Sequence, residues 1–448
     1  MKQDIWHVES LELSGLSTAK SDQNSALIWG GLPGEDLEAN IGERNVGTIQ
    51  KIVKSSSSRV KPACPHYADC GGCTIMHAAY PLQLDLKTAF VTEQLAKQGL
   101  PTAVVLPAIG MKDPFFYRTK AQMTFSEKGS KVLAGFYEEN THRIVNVDRC
   151  FIQNDQANQI VKTLKGLLVK HKIKPYLEDK ETGLFRHVVI RVSESTKQIL
   201  VTFVTSEEKF PGRNNVVQDL LAAHPEITTI VQNVNPRKTS VVLGDFERIL
   251  YGPGHIEDEL MGLKFRIASK TFYQVNHRQT QVLYQKALEL AKPKKEDIVV
   301  DAYAGVGTIG LMFASQVKEV LGVEINPASV SAAIVNSKLN GIRNVRFYKE
   351  DAIRFLTQLA EEKKAVDIVV FDPPRSGLVP GFVGALALLK PKKIVYVSCD
   401  PTSLARDIRQ IVDQGYELKR VQPVDMFCHT QHVEAIILMT RSSSGEKK

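Results

Sequence analysis

The chain holds only six cysteines, and one of them, Cys399, closes an apolar run in "KIVYVSCDP", immediately before an Asp-Pro that makes the backbone turn. Taken alone, a cysteine at the end of a buried strand is an inert small hydrophobe. Beside a methyl donor it could do more. A thiolate can add to C6 of a uracil ring, turning the unreactive C5 into an enolate carbon that attacks a methyl sulfonium. A base must then remove the C5 proton before the sulfur is expelled. "HTQHVEAI" offers Glu434 at the start of the last apolar run, with His429 and His432 as rivals. Lone loop histidines are usually solvated or structural, so the carboxylate is preferred.

The elements that must position these groups are legible after about residue 266. There "DIVVDAY", "EVLGVEI", "VRFYKE", "VDIVVFD", "KIVYVS" and "VEAIILMT" alternate with helical stretches such as "PASVSAAIVNSKLNG". Such alternation implies a parallel sheet covered by helices. Ligands of open parallel sheets bind outside the carboxyl ends of the strands. That rule predicts that Tyr303, Glu324, Asp351, Asp372 and Cys399 gather along one rim. "AGVGTIG" places Gly305, Gly307 and Gly310 in a G-x-G-x-x-G spacing, where missing side chains let a ligand approach the backbone. A nicotinamide dinucleotide is one candidate, with Glu324 on its ribose hydroxyls. Asp301 ahead of the glycines and the later Asp-Pro-Pro fit S-adenosylmethionine better. In "FDPPR", Pro373 and Pro374 fix the backbone so that the Asp372 carboxylate faces outward.

The rest of the chain is less regular. Residues 1–54 carry short β-like runs ("SALIW", "VGTIQKIV") separated by Gly30-Gly31 and Pro33-Gly34, a small all-β module ending at the polar "KSSSSRVKP", which reads as a linker. "PLQLDLKTAFVTEQLAKQGL" repeats Leu82, Leu86, Phe90 and Leu95 at helical spacing before Gly99. Residues from about 104 to 265 mix strands ("KAQMTF", "HVVIRVS", "TTIVQNV") with few helices, and "SSSGEKK" reads as a frayed tail. Three domains are expected: 1–60, 61–265 and 266–448. Cys64, Cys70 and Cys73 form C-x5-C-x2-C with Cys150 further on, and four thiolates could hold zinc or an iron–sulfur cubane. The net charge of +8 favours an anionic partner. No apolar run approaches a membrane span, and "MKQDIWHVES" lacks the basic then apolar pattern of a signal peptide, so a cytoplasmic address is expected.

With "FYQVN" (272–276), "DAYAGVGTIG", "GVEIN", "FDPPRSGL", "YVSCDP", "LARD" and "HVE" in this order, the chain resembles the bacterial RNA uracil-C5 methyltransferases. The likeness is to their ribosomal branch, with an N-terminal TRAM domain and an iron–sulfur cluster. It implies a multi-domain α/β protein: a Rossmann-like methyltransferase domain, an OB-type N-terminal barrel and a central mixed α+β domain. Matched position by position, it implies that Gln274, Tyr303, Glu324 and Asp372 contact S-adenosylmethionine, with Thr308 and Asp351 as lesser contacts. It makes Cys399 the nucleophile, Glu434 the base and Phe272 a contact of the flipped target. It selects [4Fe–4S] for Cys64, Cys70, Cys73 and Cys150, in a structural role. Arg118, Lys120, Arg143 and Arg186 (beside His187) are candidate RNA contacts. A monomer acting on 23S ribosomal RNA is the expectation; the T-loop uridine of transfer RNA and a non-enzymatic RNA-binding iron–sulfur protein are the alternatives. The chain departs from the family pattern at Ala302 and Ala304, where Leu and Cys are common, at Asp400 for Asn, and at Cys428, often Pro.

Overall fold

A computed structural model describes residues 5–138, 141, 143–239 and 241–442; apart from Ser442, the tail expected to fray lies outside them. The N-terminal strands Ile5–Leu11, Leu16–Lys20, Ser25–Trp29, Asp36–Ile41 and Val46–Lys54 close into a five-stranded barrel. Alternate residues point inward, so Trp6, Val8, Ala19, Ala26, Ile28 and Leu37 fill its interior. The serine run beyond it is pinned and does not behave as a free linker. The buried Glu35 accepts from the Ser56 N–H at 3.1 Å and the Arg59 Nε at 2.6 Å, and Ala79 N donates to Ser58 O.

The helix Tyr80–Lys97 follows. Leu82, Leu86 and Phe90 pack partly buried against the apolar cluster beneath the barrel, which includes Leu11, Leu13 and Ile75. A second face, Gln83, Lys87, Val91 and Gln94, is more deeply buried. The sequence pattern pointed only to the first face, because glutamine and lysine are seldom enclosed without partners.

The central region is a seven-stranded sheet in the order Phe246–Tyr251, Ile227–Val234, Ile199–Thr205, Phe185–Val192, Lys120–Lys128, Lys131–Tyr137 and Ile144–Asn146. Apolar residues of the helices Asp155–Lys170 and Arg213–Ala223 share one core with this sheet. The hairpin His255–Leu260/Leu263–Ala268 spans the boundary expected at 265/266, and its Ile256, Leu260, Phe265 and Ile267 lie in the C-terminal core.

The C-terminal sheet runs Val345–Lys349, Glu319–Glu324, Ile298–Ala302, Ile368–Phe371, Lys393–Ser398, Glu434–Arg441, Tyr416–Val424. The first five strands are parallel and the last two antiparallel to their neighbours. Helices between the parallel strands start on polar caps: Asn326, Asp351 and Asp400 each accept two N–H groups of the helix they open. Among the described residues, no helix is long and apolar enough to cross a membrane.

Candidate active site

The parallel strands end along one edge, and the antiparallel strand Glu434–Arg441 begins there. Ala302 pairs with Val323 and Phe371, Phe371 with Tyr396, and Ser398 with Ala435. Tyr303, Glu324, Asp372, Cys399 and Glu434 therefore occupy neighbouring positions on this rim. Because Ser398 pairs antiparallel with Ala435, Cys399 is carried opposite Glu434. Asp400 caps the helix Pro401–Asp413, and Pro401 occupies its first turn. The backbone is thus committed to the helix one residue beyond the thiol, which leaves Cys399 at the turn.

Cys399 lines a cleft of ≈ 650 Å³ whose other walls are the barrel segment Ser10–Ser14, the helix residues Leu86 and Phe90, and Arg375 and His432. Burial pushes its thiol up to about 11, the charges of Glu434 and Asp372 add to the rise, and Arg375 opposes it by charge and hydrogen bonding. Glu434 is buried, and its Oε2 has no hydrogen-bond partner. Burial first, then the Asp372 carboxylate, hold its pKa well above the ordinary value, while Arg375 pulls the other way. Burial likewise raises Asp372. Two carboxyl groups this close resist losing both protons, so the pair can hold one and accept another.

The loop bearing Asp372 and Arg375 is clamped by the helix that starts after Cys399. Asp407 Oδ2 accepts from Leu378 N and the Tyr396 hydroxyl, both at 2.8 Å. Ser403 Oγ donates to Arg375 O at 3.0 Å, and Arg406 Nη2 to Ser376 O at 2.8 Å. Arg375 also donates to His432 Nδ1. The other histidine, His429, is a packing residue, with its ring stacked on Phe115 at 4.7 Å.

At the other end of the rim, Glu324 Oε2 accepts from Gly305 N at 3.0 Å and Oε1 from Asn326 N at 2.8 Å. Asp301 Oδ2 accepts from Gly310 N at 2.8 Å, and a Cβ on Gly310 would sit 2.8 Å from that oxygen. The third glycine therefore serves helix-to-strand packing. Tyr303 adopts a left-handed backbone (φ 63°), an uncommon state for a side chain of its size. Its ring packs on Phe382 and its buried hydroxyl has no partner. Asp351 spends Oδ1 on its helix cap. The loop 269–276 is tied to the central sheet, since Arg191 donates to Thr271 O and Thr119 N donates to Val275 O. It holds Gln274 buried and leaves Phe272 70% exposed.

Sequence reasoning missed Arg375 as a partner of the thiol, although it lies inside "FDPPR". It also missed Tyr284, a buried residue of the helix His277–Ala291 that faces Asp372 and Glu434 and hydrogen-bonds Thr308. Nothing in the local pattern marks that tyrosine out from a core residue.

The four clustered thiols lie elsewhere. Cys64, Cys70, Cys73 and Cys150 line one cavity of ≈ 370 Å³ in the central region, together with Arg118 and Lys120. Among the described residues, no group of three or more His, Cys, Asp or Glu side chains stands close enough to hold a single metal ion. Lys120 is half-buried, and burial, then Arg191 and Arg118, lower its pKa to about 8. Arg143 is exposed and paired with Glu138. Arg186 corrects an expectation: it is buried, donates to Asn235 O at 2.7 Å and Arg237 O at 2.6 Å, and pairs with Glu178. Its donors serve packing inside the central region, not an RNA backbone.

Residues 79–442 match the family described as tRNA (uracil-5-)-methyltransferase. The chain belongs to this family. It is an RNA methyltransferase, an enzyme. A protein of Halalkalibacterium halodurans described as an uncharacterized RNA methyltransferase is 40% identical over 98% of this chain and 97% of its own. A counterpart from Oceanobacillus iheyensis is also 40% identical, over 98% and 96%. The crystal structure of Pyrococcus abyssi tRNA (uracil-54, C5)-methyltransferase in complex with S-adenosyl-L-homocysteine superposes with a TM-score of 0.79, at 26% identity, covering 97% of this chain and 99% of that one.

Proposed function

We propose that this enzyme methylates C5 of a uridine in 23S ribosomal RNA, with S-adenosylmethionine as donor and Cys399 as the covalent nucleophile. The observation that carries the reading is the antiparallel pairing that sets Cys399 opposite Glu434, with Asp372 and Arg375 beside both. The bound donor supplies an electrophilic methyl group. Gln274, Tyr303, Glu324 and Asp372 would hold it along the rim, with Thr308 and Asp351 at its margin.

Cys399 adds as thiolate to C6 of a flipped uracil, and the ring's C5=C6 electrons pass to C5. C5 would displace the methyl group from the donor's sulfonium, the broken C–S bond's electron pair staying on the sulfur of the departing S-adenosylhomocysteine. Glu434, in its deprotonated form, removes the proton from C5. The C5–H electron pair rebuilds the C5=C6 double bond and expels the Cys399 sulfur, returning the thiolate. Exposed Phe272 offers a ring for stacking beside the target. Exposed Arg143 offers a cation for the RNA backbone, whereas Arg118 and Lys120 line the cysteine cavity.

The N-terminal barrel fits the TRAM assignment, an OB-type module that brings a wall of the Cys399 cleft with it. Four thiols and His66 line the cysteine cavity, and this thiol-rich donor set is what supports reading it as the place of a [4Fe–4S] cluster. Arg118 and Lys120 would balance the negative charge of four thiolates. Such a cluster ties the loop at 64–73 to the segment ending at Cys150, and no catalytic step passes through it.

The likeness to the Pyrococcus enzyme favours a second reading, the T-loop uridine of transfer RNA, with identical chemistry. Incubating the purified enzyme with labelled methyl donor and separate unmodified 23S and transfer RNA decides between them, the first being the expected acceptor. In the same assay C399A should bind RNA yet transfer no methyl group. E434Q should accumulate a methylated covalent enzyme–RNA adduct. Turnover at the wild-type rate by either variant rejects the mechanism.

A further inference from the structure

We infer that Lys87, remote from the reacting atoms, is a positioning residue for Glu434 and acts through a sealed ion pair with Asp425; this rests on the reading of Glu434 as proton acceptor. Residues 425–433 leave the sheet after Val424 and return at Glu434, and Val424 and Glu434 are themselves paired across the antiparallel ladder. The loop between them therefore decides where the base enters the sheet.

Almost every carbonyl of its first half is held from outside. Asp425 O accepts from Gln279 Nε2 at 3.1 Å and Met426 O from Asn276 Nδ2 at 2.9 Å. Cys428 O accepts from the Tyr117 hydroxyl at 3.0 Å, and His429 O from Thr74 N and Ile75 N at 3.0 and 3.2 Å. These donors hold a loop in which His429 takes a left-handed backbone (φ 68°). The centre of the cage is Lys87. Its Nζ donates to Asp425 Oδ1 at 2.5 Å and to Phe427 O at 3.0 Å, and the Tyr80 hydroxyl donates to Asp425 Oδ2 at 2.7 Å. Both charged side chains are 0% exposed.

A fully buried ion pair is a poor stabiliser, because desolvating two charges offsets their attraction and apolar pairs of similar volume often do as well. What an ammonium does here that an apolar side chain cannot is fix two acceptors of one loop, a carboxylate and a carbonyl, at a single point. The expected consequence of losing it is a displaced base in an otherwise folded enzyme.

The test compares full-length wild type, K87M/D425N, Y80F and E434Q, using unmodified 23S and transfer RNA transcripts with labelled S-adenosylmethionine. Covalent adduct on denaturing gels, product release and thermal midpoint are followed. K87M/D425N removes both charges together, so no lone buried ion remains. It should fold, transfer the methyl group in a single turnover, and release product roughly 10²-fold more slowly as methylated adduct accumulates. Y80F, which keeps the ion pair, should show the same defect more weakly. Wild-type release by both variants overturns the inference, as does methyl transfer and release falling together with the folded fraction. E434Q releasing product normally overturns the reading of the base itself, a separate outcome.

Discussion

The molecule holds thiols in two settings, and the difference between them is one of neighbours rather than of burial. At the rim, burial raises Cys399, and so it does Cys70, Cys73 and Cys150 in the central cavity. Around Cys399 stand two carboxyl groups and one guanidinium, beside an open cleft. Around the cavity cysteines stand other cysteines, with Arg118 and Lys120 on the wall. A lone thiol with a proton acceptor opposite suits reversible covalent chemistry, whereas the cavity thiols share one wall with no such acceptor beside them. The backbone follows the same division. A strand end and a capped helix fix Cys399, while the cavity collects residues from loops distant in the chain.

The strongest way to break this comparison is a crossed pair of substitutions. C399A should lose methyl transfer entirely and keep the iron content and visible absorbance of anaerobically purified protein. C73S should lose iron and absorbance and unfold at a lower temperature. Iron retained at the wild-type level in C73S, or absent from the wild type, would remove the cavity from consideration as a cluster site.

What the sequence made legible was the part governed by strand and helix periodicity. "DIVVDAY", "VDIVVFD" and "KIVYVS" ended where strand-end residues were needed, and the antiparallel register then set Cys399 opposite Glu434. The strand Tyr416–Val424 escaped notice because its alternation is broken by a register shift between Leu418 and Arg420. Partners distant in sequence escaped too. Lys87 and Asp425, Arg186 and Asn235, and Tyr284 with Asp372 meet only through tertiary packing, and no local pattern says that a lysine on a helix is enclosed. Arg186 misled for the same reason, since an arginine within a strand looks alike whether its donors meet carbonyls or solvent.

A smaller effect sharpens the electrostatic half of the comparison. Arg375 lowers the Cys399 thiol by charge and hydrogen bonding. R375M should therefore raise it, and the rising limb of kcat/KM should move toward higher pH. A displacement of one unit would make the enzyme about tenfold slower on that limb, with recovery at alkaline pH. The rate of Cys399 alkylation by iodoacetamide, followed against pH without RNA, checks the same displacement independently of turnover. An unchanged alkylation profile would mean that the guanidinium serves only to hold His432 and the loop.

A further effect concerns stability. Glu434 is buried with an unpartnered oxygen, and its pKa in the folded protein lies well above the ordinary 4.5. The folded chain thus keeps a proton that the unfolded chain gives up. That contribution is fully present below about pH 4.5 and declines as pH rises toward the folded value, by roughly 1.4 kcal/mol for each unit of pH in between. Glutamine cannot ionise, so E434Q should match the wild type near pH 4 and exceed it increasingly toward neutrality, as denaturant titrations at several pH values would show. Asp372 remains in both proteins, and relief of its repulsion with Glu434 in the variant adds in the same direction. A difference flat with pH would mean that Glu434 is already ionised in the fold, neutralised by Arg375. The rim would then be a charge-balanced site like the cavity with its two cations, and the contrast between the two would lie in geometry alone.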